Sequence, residues 1–250
     1  LYVPKATILE LPLYDWKDKE EAQEAIHGYW PQLVEASVNE GFYPIALDIR
    51  DYWGIFCREP VESIDGVKSA KFRSVNAELW SELTKVCGAV PVPIPYADAY
   101  MSFKTGVTDG SLGSVTGATA GNWHEVLKCF LDVRLVLSHS FTLTSKKWLD
   151  ELPADLREIF LAVAKESEEF NKVEVQKQYE RNKQTMIDAG VKWVSREELD
   201  LSVLKVRTRA FRDQYMKDKG AEVEAFYREW ISHVEATTGR SQSDSGATNL

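Results

Sequence analysis

The chain has 250 residues, 44% of them hydrophobic and 28% charged, the proportions of an ordinary folded protein with room for one large domain or two lobes. Its formal charge of -9 argues against nucleic acid as a partner, because phosphate recognition needs a basic face. No run of about 18 apolar residues reads as a membrane span, and no basic-then-apolar leader stands at Leu1.

In chain order, the first signal is a charged amphipathic helix from Lys17 to Ile26, interrupted near Gly28 and Pro31, with a second short helix to Gly41. Phe42 to Ile49 and Trp53 to Cys57 read as strands. Between them and beyond lies a polar and aromatic cluster, Arg50, Asp51, Tyr52, Trp53 and Arg58. Lys71 to Val75 alternates polar and apolar residues and predicts another strand. Asn76 then precedes AELWSELTKVC, where Leu79, Leu83 and Val86 recur at helical spacing. Asn76 is the expected N-cap and Gly88 the expected stop. Val90 to Pro93 predicts a short strand, Ala97 to Lys104 a helix closed by Gly106, and Asp109-Gly110 the next turn.

Strand, helix, strand, helix in succession argues for a parallel sheet flanked by helices. Ligands of such sheets sit beyond the carboxyl ends of the strands, where Arg73 falls. A guanidinium there can hold a carboxylate through two parallel hydrogen bonds. An acidic protein that binds anions must concentrate its positive charge at such points.

Gly113-Ser114-Val115-Thr116-Gly117 is glycine-rich without being a dinucleotide fingerprint and reads as a mobile or tightly turned segment. Val133 to Leu137 and Phe141 to Thr144 are strand-like. From Pro153 a helical pattern persists through Leu156, Phe160, Val163, Phe170, Val173, Tyr179 and Met186 to Gly190, long enough at 1.5 Å per residue to span about 50 Å. Ser195-Arg196-Glu197-Glu198 has the form of a capping box, opening helices that run to about Glu235. The stretch from Thr237 to Leu250 is polar and reads as disordered.

Cys57, Cys87 and Cys129 lack C-x-x-C spacing and lie in apolar surroundings, so they read as buried thiols or as one disulfide with a thiol left over. His27, His124, His139 and His233 are dispersed without metal-ligand spacing. Neither G-x-S-x-G nor G-x-x-x-x-G-K-[ST] occurs. No metal, no cofactor and no catalytic set is expected.

The ordered series SIDGVKSAKFRSVN, GAVPVPIPYADAY and FKTGVTDG resembles the second lobe of the solute-binding proteins of tripartite ATP-independent periplasmic (TRAP) transporters, the DctP family. KATILELPLYDWKD resembles a first-lobe segment of the same family, and LTSKKWLDELPADLREIF its opening of a long helix. The similarity runs in family order from about Pro4 to about Gly220. It implies an α/β fold of the two-lobed periplasmic binding type, with the long helix as a spine and the first part of lobe one missing, since the chain opens in mid-lobe. The corresponding division is 1–57 for the remainder of lobe I with an interlobe strand, 58–145 for the ligand-gripping part of lobe II, 146–236 for the spine and C-terminal helices packing on both lobes, and 237–250 for a polar tail.

The resemblance further implies a periplasmic receptor that captures a small organic anion between its lobes by hinge closure and delivers it to TRAP membrane subunits. Its ligand candidates are Arg73, Tyr96, Asn76, Trp53, Gly113, His139 and Arg50. Tyr96 falls where the family places an aromatic beside the ligand. Asn76 can contact a ligand, cap its helix, or both. Trp53 aligns where some members put a second polar or basic residue; facing the cleft, it calls for an apolar or planar part in the ligand, and otherwise it is a core tryptophan. His139 is the histidine placed nearest the cleft. Arg50 adds positive charge. Many members carry Gln-Glu-Asn-Pro where this chain has Ser111-Leu112-Gly113-Ser114, so a usual polar contact is lost. Two alternatives stay open: an enzyme using Arg73 as a clamp with His139 or Asp109 as acid or base, and a sensor module built on the same fold.

Overall fold

The structure is a computed structural model that describes residues 3–12, 14 and 16–242. Packing divides the chain into two compact units. The first takes the described residues of Leu1–Arg50, His139–Gln176 and Arg212–Leu250, and the second takes Asp51–Ser138 and Lys177–Phe211.

In the first unit, a 3-10 turn over Pro4–Glu10 precedes helices α1 (Lys19–Gly28) and α2 (Trp30–Asn39). Asp18 caps α1 by accepting the Glu21 N–H, which satisfies one of the four orphan donors of a helix start. Strand β1 (Phe42–Cys57) begins here, and so does the last part of β5 (Cys129–Ser145). Helix α6 (Lys146–Glu151), the first part of α7 (Ala154–Asp188), the second part of α8 (Ser202–Asp218) and α9 (Ala221–Thr238) complete it. Its core is aromatic: Trp230 is fully buried and meets Tyr14 edge-on at 6.0 Å and Tyr29 at 5.3 Å.

The second unit carries the sheet. Between the middle of β1 and the start of β5 come β2 (Lys71–Ser74), α3 (Glu78–Val86), β3 (Val90–Pro93), α4 (Tyr96–Lys104), β4 (Gly110–Ser114) and α5 (Val115–Ala120). The later strand β6 (Lys192–Val194) joins it, giving the order β3-β2-β4-β1-β5-β6. Strand β2 pairs in parallel with β3 and with β4, Arg73 standing opposite Val92 on one side and Ser111 on the other. Strand β4 then runs antiparallel to β1, with Ser114 opposite Trp53. Pro91 and Pro93 are tolerated in β3 because it is an edge strand. Phe56, Phe103, Trp123, Phe130 and Met186 fill the core beneath the sheet.

Several expectations need correction. Phe42–Cys57 is one strand and not two, and Cys129–Ser145 is likewise continuous. Asn76 does not cap α3: Ala77 holds that position without a side-chain bond. The segment around Gly113 is neither a loose nor a tight turn. It ends the buried strand β4 and enters α5, with Ser114 as the N-cap accepting the Gly117 N–H. The Ser195 to Glu198 capping box is present, although it opens a 3-10 turn before α8.

Other readings match the structure. Gly88 ends α3 with φ at 93°, a left-handed conformation that suits glycine. Helix α7 spans 35 residues. Its apolar residues do not share one face, however: Met186 is fully buried while Val163 and Phe170 are exposed. All three cysteines are buried free thiols. Of the expected polar tail, residues 243–250 lie outside the described residues, whereas Gln242 donates its N–H to the Glu235 carboxylate at 2.6 Å.

Candidate anion site at the carboxyl end of the parallel strands

Strand β2 is four residues long, with Arg73 third, so the guanidinium leaves the sheet where the parallel strands end. The residue is only 5% exposed. Its Nε donates to the Ile94 carbonyl at 2.9 Å, just past the end of β3. The guanidinium carbon lies 6.0 Å from the centroid of the Tyr96 ring. Among the described residues no carboxylate pairs with Arg73, and its two terminal nitrogens bond to no protein group and reach solvent. Burial pulls its pKa below the ordinary arginine value, with Tyr96 pulling the other way.

A largely buried cation with one of five donors spent and no counter-charge is costly unless something anionic completes it. The two terminal nitrogens form the fork that matches a carboxylate.

Tyr96 opens α4 and is held in place through its hydroxyl, which donates to the Gly117 carbonyl at 2.7 Å. Its ring also meets Trp123 at 5.8 Å. Burial raises its pKa, and the neighbouring Arg73 opposes that rise. Helix α3 starts close to the end of β2, since Ser74 Oγ and Ser81 Oγ are 3.3 Å apart. Trp53, on β1, stacks on Trp80 of α3 with centroids 4.0 Å apart and planes 26° from parallel. Trp80 was not among the sequence candidates. Its spacing marks it only as a helix residue, and its stacking partner lies on a strand far away in sequence.

The remaining candidates are placed as follows. Asn76 is exposed in the loop between β2 and α3, and its side chain makes no hydrogen bond. Gly113 turns its missing side chain toward the core, where a Cβ would come within 2.9 Å of the Trp123 ring; any contact it made with a ligand would be through its backbone. Arg58 lies with its guanidinium against Gly106, and its N–H donates to the Asp109 carbonyl beside the start of β2. Arg50 and His139 belong to the first unit. Arg50 is exposed and donates to Ser140 Oγ at 3.2 Å, and the His139 ring meets Phe141 edge-on at 5.7 Å. The structure therefore brings Arg73 and Tyr96 together, with Trp53 and Trp80 on the same end of the sheet. Asp109, considered as an acid or base, is occupied in accepting the Lys71 N–H at 2.9 Å.

Among the described residues, no group of three or more histidines, cysteines or carboxylates could hold a metal. No described helix is long and apolar enough to cross a membrane.

Residues 1–219 match the family described as bacterial extracellular solute-binding protein, family 7 (DctP). A curated solute-binding protein of Chromohalobacter salexigens is 24% identical over 223 residues, which cover 86% of this chain and 64% of that protein. The chain thus spans just under two thirds of that relative's length. Among solved structures, a TRAP periplasmic solute-binding protein of Chromohalobacter salexigens with bound D-glucuronate superposes with a TM-score of 0.84 at 21% identity, covering 92% of this chain and 76% of that one. A TRAP periplasmic solute-binding protein of Desulfovibrio salexigens with bound orotic acid gives 0.81 at 18% identity, covering 94% and 76%. The fold is therefore that of the TRAP periplasmic solute-binding proteins.

Proposed function

The chain belongs to family 7 of the bacterial extracellular solute-binding proteins, and for such a chain we propose a periplasmic receptor that holds a small organic anion, a carboxylate, and delivers it to the membrane subunits of a TRAP transporter. One observation carries the reading: Arg73 is 5% exposed, has no carboxylate partner among the described residues, and spends only Nε on the protein. Its terminal nitrogens grip the ligand's carboxylate in parallel. The surrounding protein lowers the effective dielectric and makes that pair stronger than it would be in water. Tyr96 flanks the guanidinium and limits the directions from which an anion can approach. The acids bound by the two structural neighbours, glucuronate and orotic acid, agree with this chemistry. No bond is made or broken; the family is one of receptors that bind substrates.

Titration calorimetry with a panel of carboxylates tests the role of Arg73. Arg73→Ala is expected to weaken binding at least about 100-fold, as truncating one partner of a buried charge pair does. Arg73→Lys, which keeps the charge but not the fork, should lose about tenfold. Unchanged affinity in Arg73→Ala would remove Arg73 from the site.

A further inference from the structure

We propose that the anion has a planar body with apolar faces, making it an aromatic or heteroaromatic carboxylate, and that the Trp53–Trp80 pair selects it; this rests on Arg73 holding the carboxylate. Arg73, Trp53, Trp80 and Tyr96 all belong to the second unit. In the order β2-β4-β1, Arg73 stands opposite Ser111 and Trp53 opposite Ser114. Three residues along β4 separate these two levels, about 10 Å at strand rise, and the odd offset sends Arg73 and Trp53 to opposite faces of the sheet, so a ligand meets both only beyond the carboxyl ends of the strands. Trp80 comes from the other side, on the first turn of the helix that follows β2, next to Ser81, whose hydroxyl touches that of Ser74. The stack joining Trp53 to Trp80 therefore reaches from β1 to α3 across the carboxyl end of β4, at the same end of the sheet as Arg73.

Both indoles are half-buried, so part of each remains open to a ligand. Neither indole nitrogen bonds to a protein group, and neither is sealed from solvent. The wall thus offers aromatic surface and at most two N–H donors, with no acceptor and no charge. Arg73 is the cation among the residues that end β2, β3 and β4; on the neighbouring β5, Arg134 lies 5.7 Å from the Tyr52 ring and is paired with Asp132 at 3.8 Å, so its charge is already answered. Asp51, which begins this unit's part of β1, is buried and accepts the Thr116 N–H at 3.0 Å.

A ligand carrying hydroxyls on both faces would lose their hydration against the indoles without replacement hydrogen bonds. A flat ring loses nothing polar and gains contact with an aromatic face. Tyr96, 6.0 Å from the guanidinium, supplies a further ring on the side of β3.

The test compares benzoate, nicotinate and orotate with cyclohexanecarboxylate and D-glucuronate by calorimetry and tryptophan emission. In the wild-type chain at least one aromatic acid should bind about tenfold or more tighter than both non-aromatic acids, with a change in emission. Trp80→Leu and Trp53→Leu should abolish that preference while retaining carboxylate binding, and Trp80→Phe, which keeps a ring, should largely preserve it. The absence of any aromatic binder, or a preference unchanged in both leucine variants, overturns the proposal. Arg73→Ala separates the two levels of the argument. If it abolishes binding of every acid while the aromatic preference is missing, the anion site stands and the aromatic wall falls; if it changes nothing, the anion site itself falls.

Discussion

Each unit buries one arginine, and the two are opposites. Arg212, 1% exposed in the first unit, is consumed by its own protein. Nη1 donates to the Pro12 carbonyl at 2.6 Å, Nη2 to the Gln242 carbonyl at 3.3 Å, and the guanidinium lies 4.9 Å from the Tyr14 ring centroid. Arg73, 5% exposed in the second unit, gives the protein only its Nε. Burial alone therefore does not identify a binding arginine. The distinction lies in where the fork ends: Arg212 ties an early loop, a late helix and the segment after α9 together, whereas Arg73 leaves its paired donors facing solvent. The contrast also explains why Tyr14, sealed beside Arg212, has its pKa pushed far up by burial, while the more open Tyr96 is raised against the pull of Arg73.

The largest effect should follow from Arg212→Met, which orphans the Pro12 and Gln242 carbonyls and removes the cation stacked on Tyr14. A loss of about 3–5 kcal/mol is expected, in the range of emptying a large core position, equivalent to roughly 10 °C in melting temperature for a chain of this size. Calorimetric unfolding measures it, and a change below a degree or two would mean that the two arginines differ less than their partners imply. The matching substitution, Arg73→Met, should leave the unliganded melting temperature within about 2 °C of wild type or raise it, because it removes a desolvated charge with no counter-charge. A collapse of the fold in that variant would make Arg73 a second structural arginine.

The local unit around Arg73 was legible because its punctuation is chemical. Gly88 stops α3 with a positive φ, and prolines mark the edge strand β3. The long strands were harder. Each reads as two pieces because its apolar alternation fails at Arg50-Asp51-Tyr52 and at Ser138-His139-Ser140, which are also the points where β1 and β5 pass from one unit to the other. A strand that leaves one core for another has no single buried face along its whole length, so a pattern of alternation cannot hold it together. Asn76 is a cap by residue type, but the helix starts one residue later, at a loop geometry that spacing cannot resolve. Trp80 and Arg212 went unread for a different reason: both sit on helices, and what gives them meaning is a partner distant in sequence.

A smaller effect tests whether desolvation, which sets the cost of an unpaired buried charge, also governs a carboxylate in the second unit. Asp132 lies on β5 with Arg134 Nε 3.8 Å from its carboxylate. Even so its pKa is raised, burial outweighing the pull of Arg134, Arg196 and Lys183. A carboxyl whose folded pKa lies above its unfolded value binds its proton more tightly when folded. The wild-type chain should therefore gain stability from this group as pH falls through the raised value toward the ordinary aspartate value near 4, and lack that gain at neutral pH. Asp132→Asn removes the titration. Its melting temperature relative to wild type should be highest at pH 7 and should fall as pH is lowered, by about a degree or two in all. A difference that runs the other way, with the variant losing most at pH 7, would mean that the cations around Asp132 outweigh its burial, and that a partner at 3.8 Å already does for this carboxylate what the proposed anion would do for Arg73.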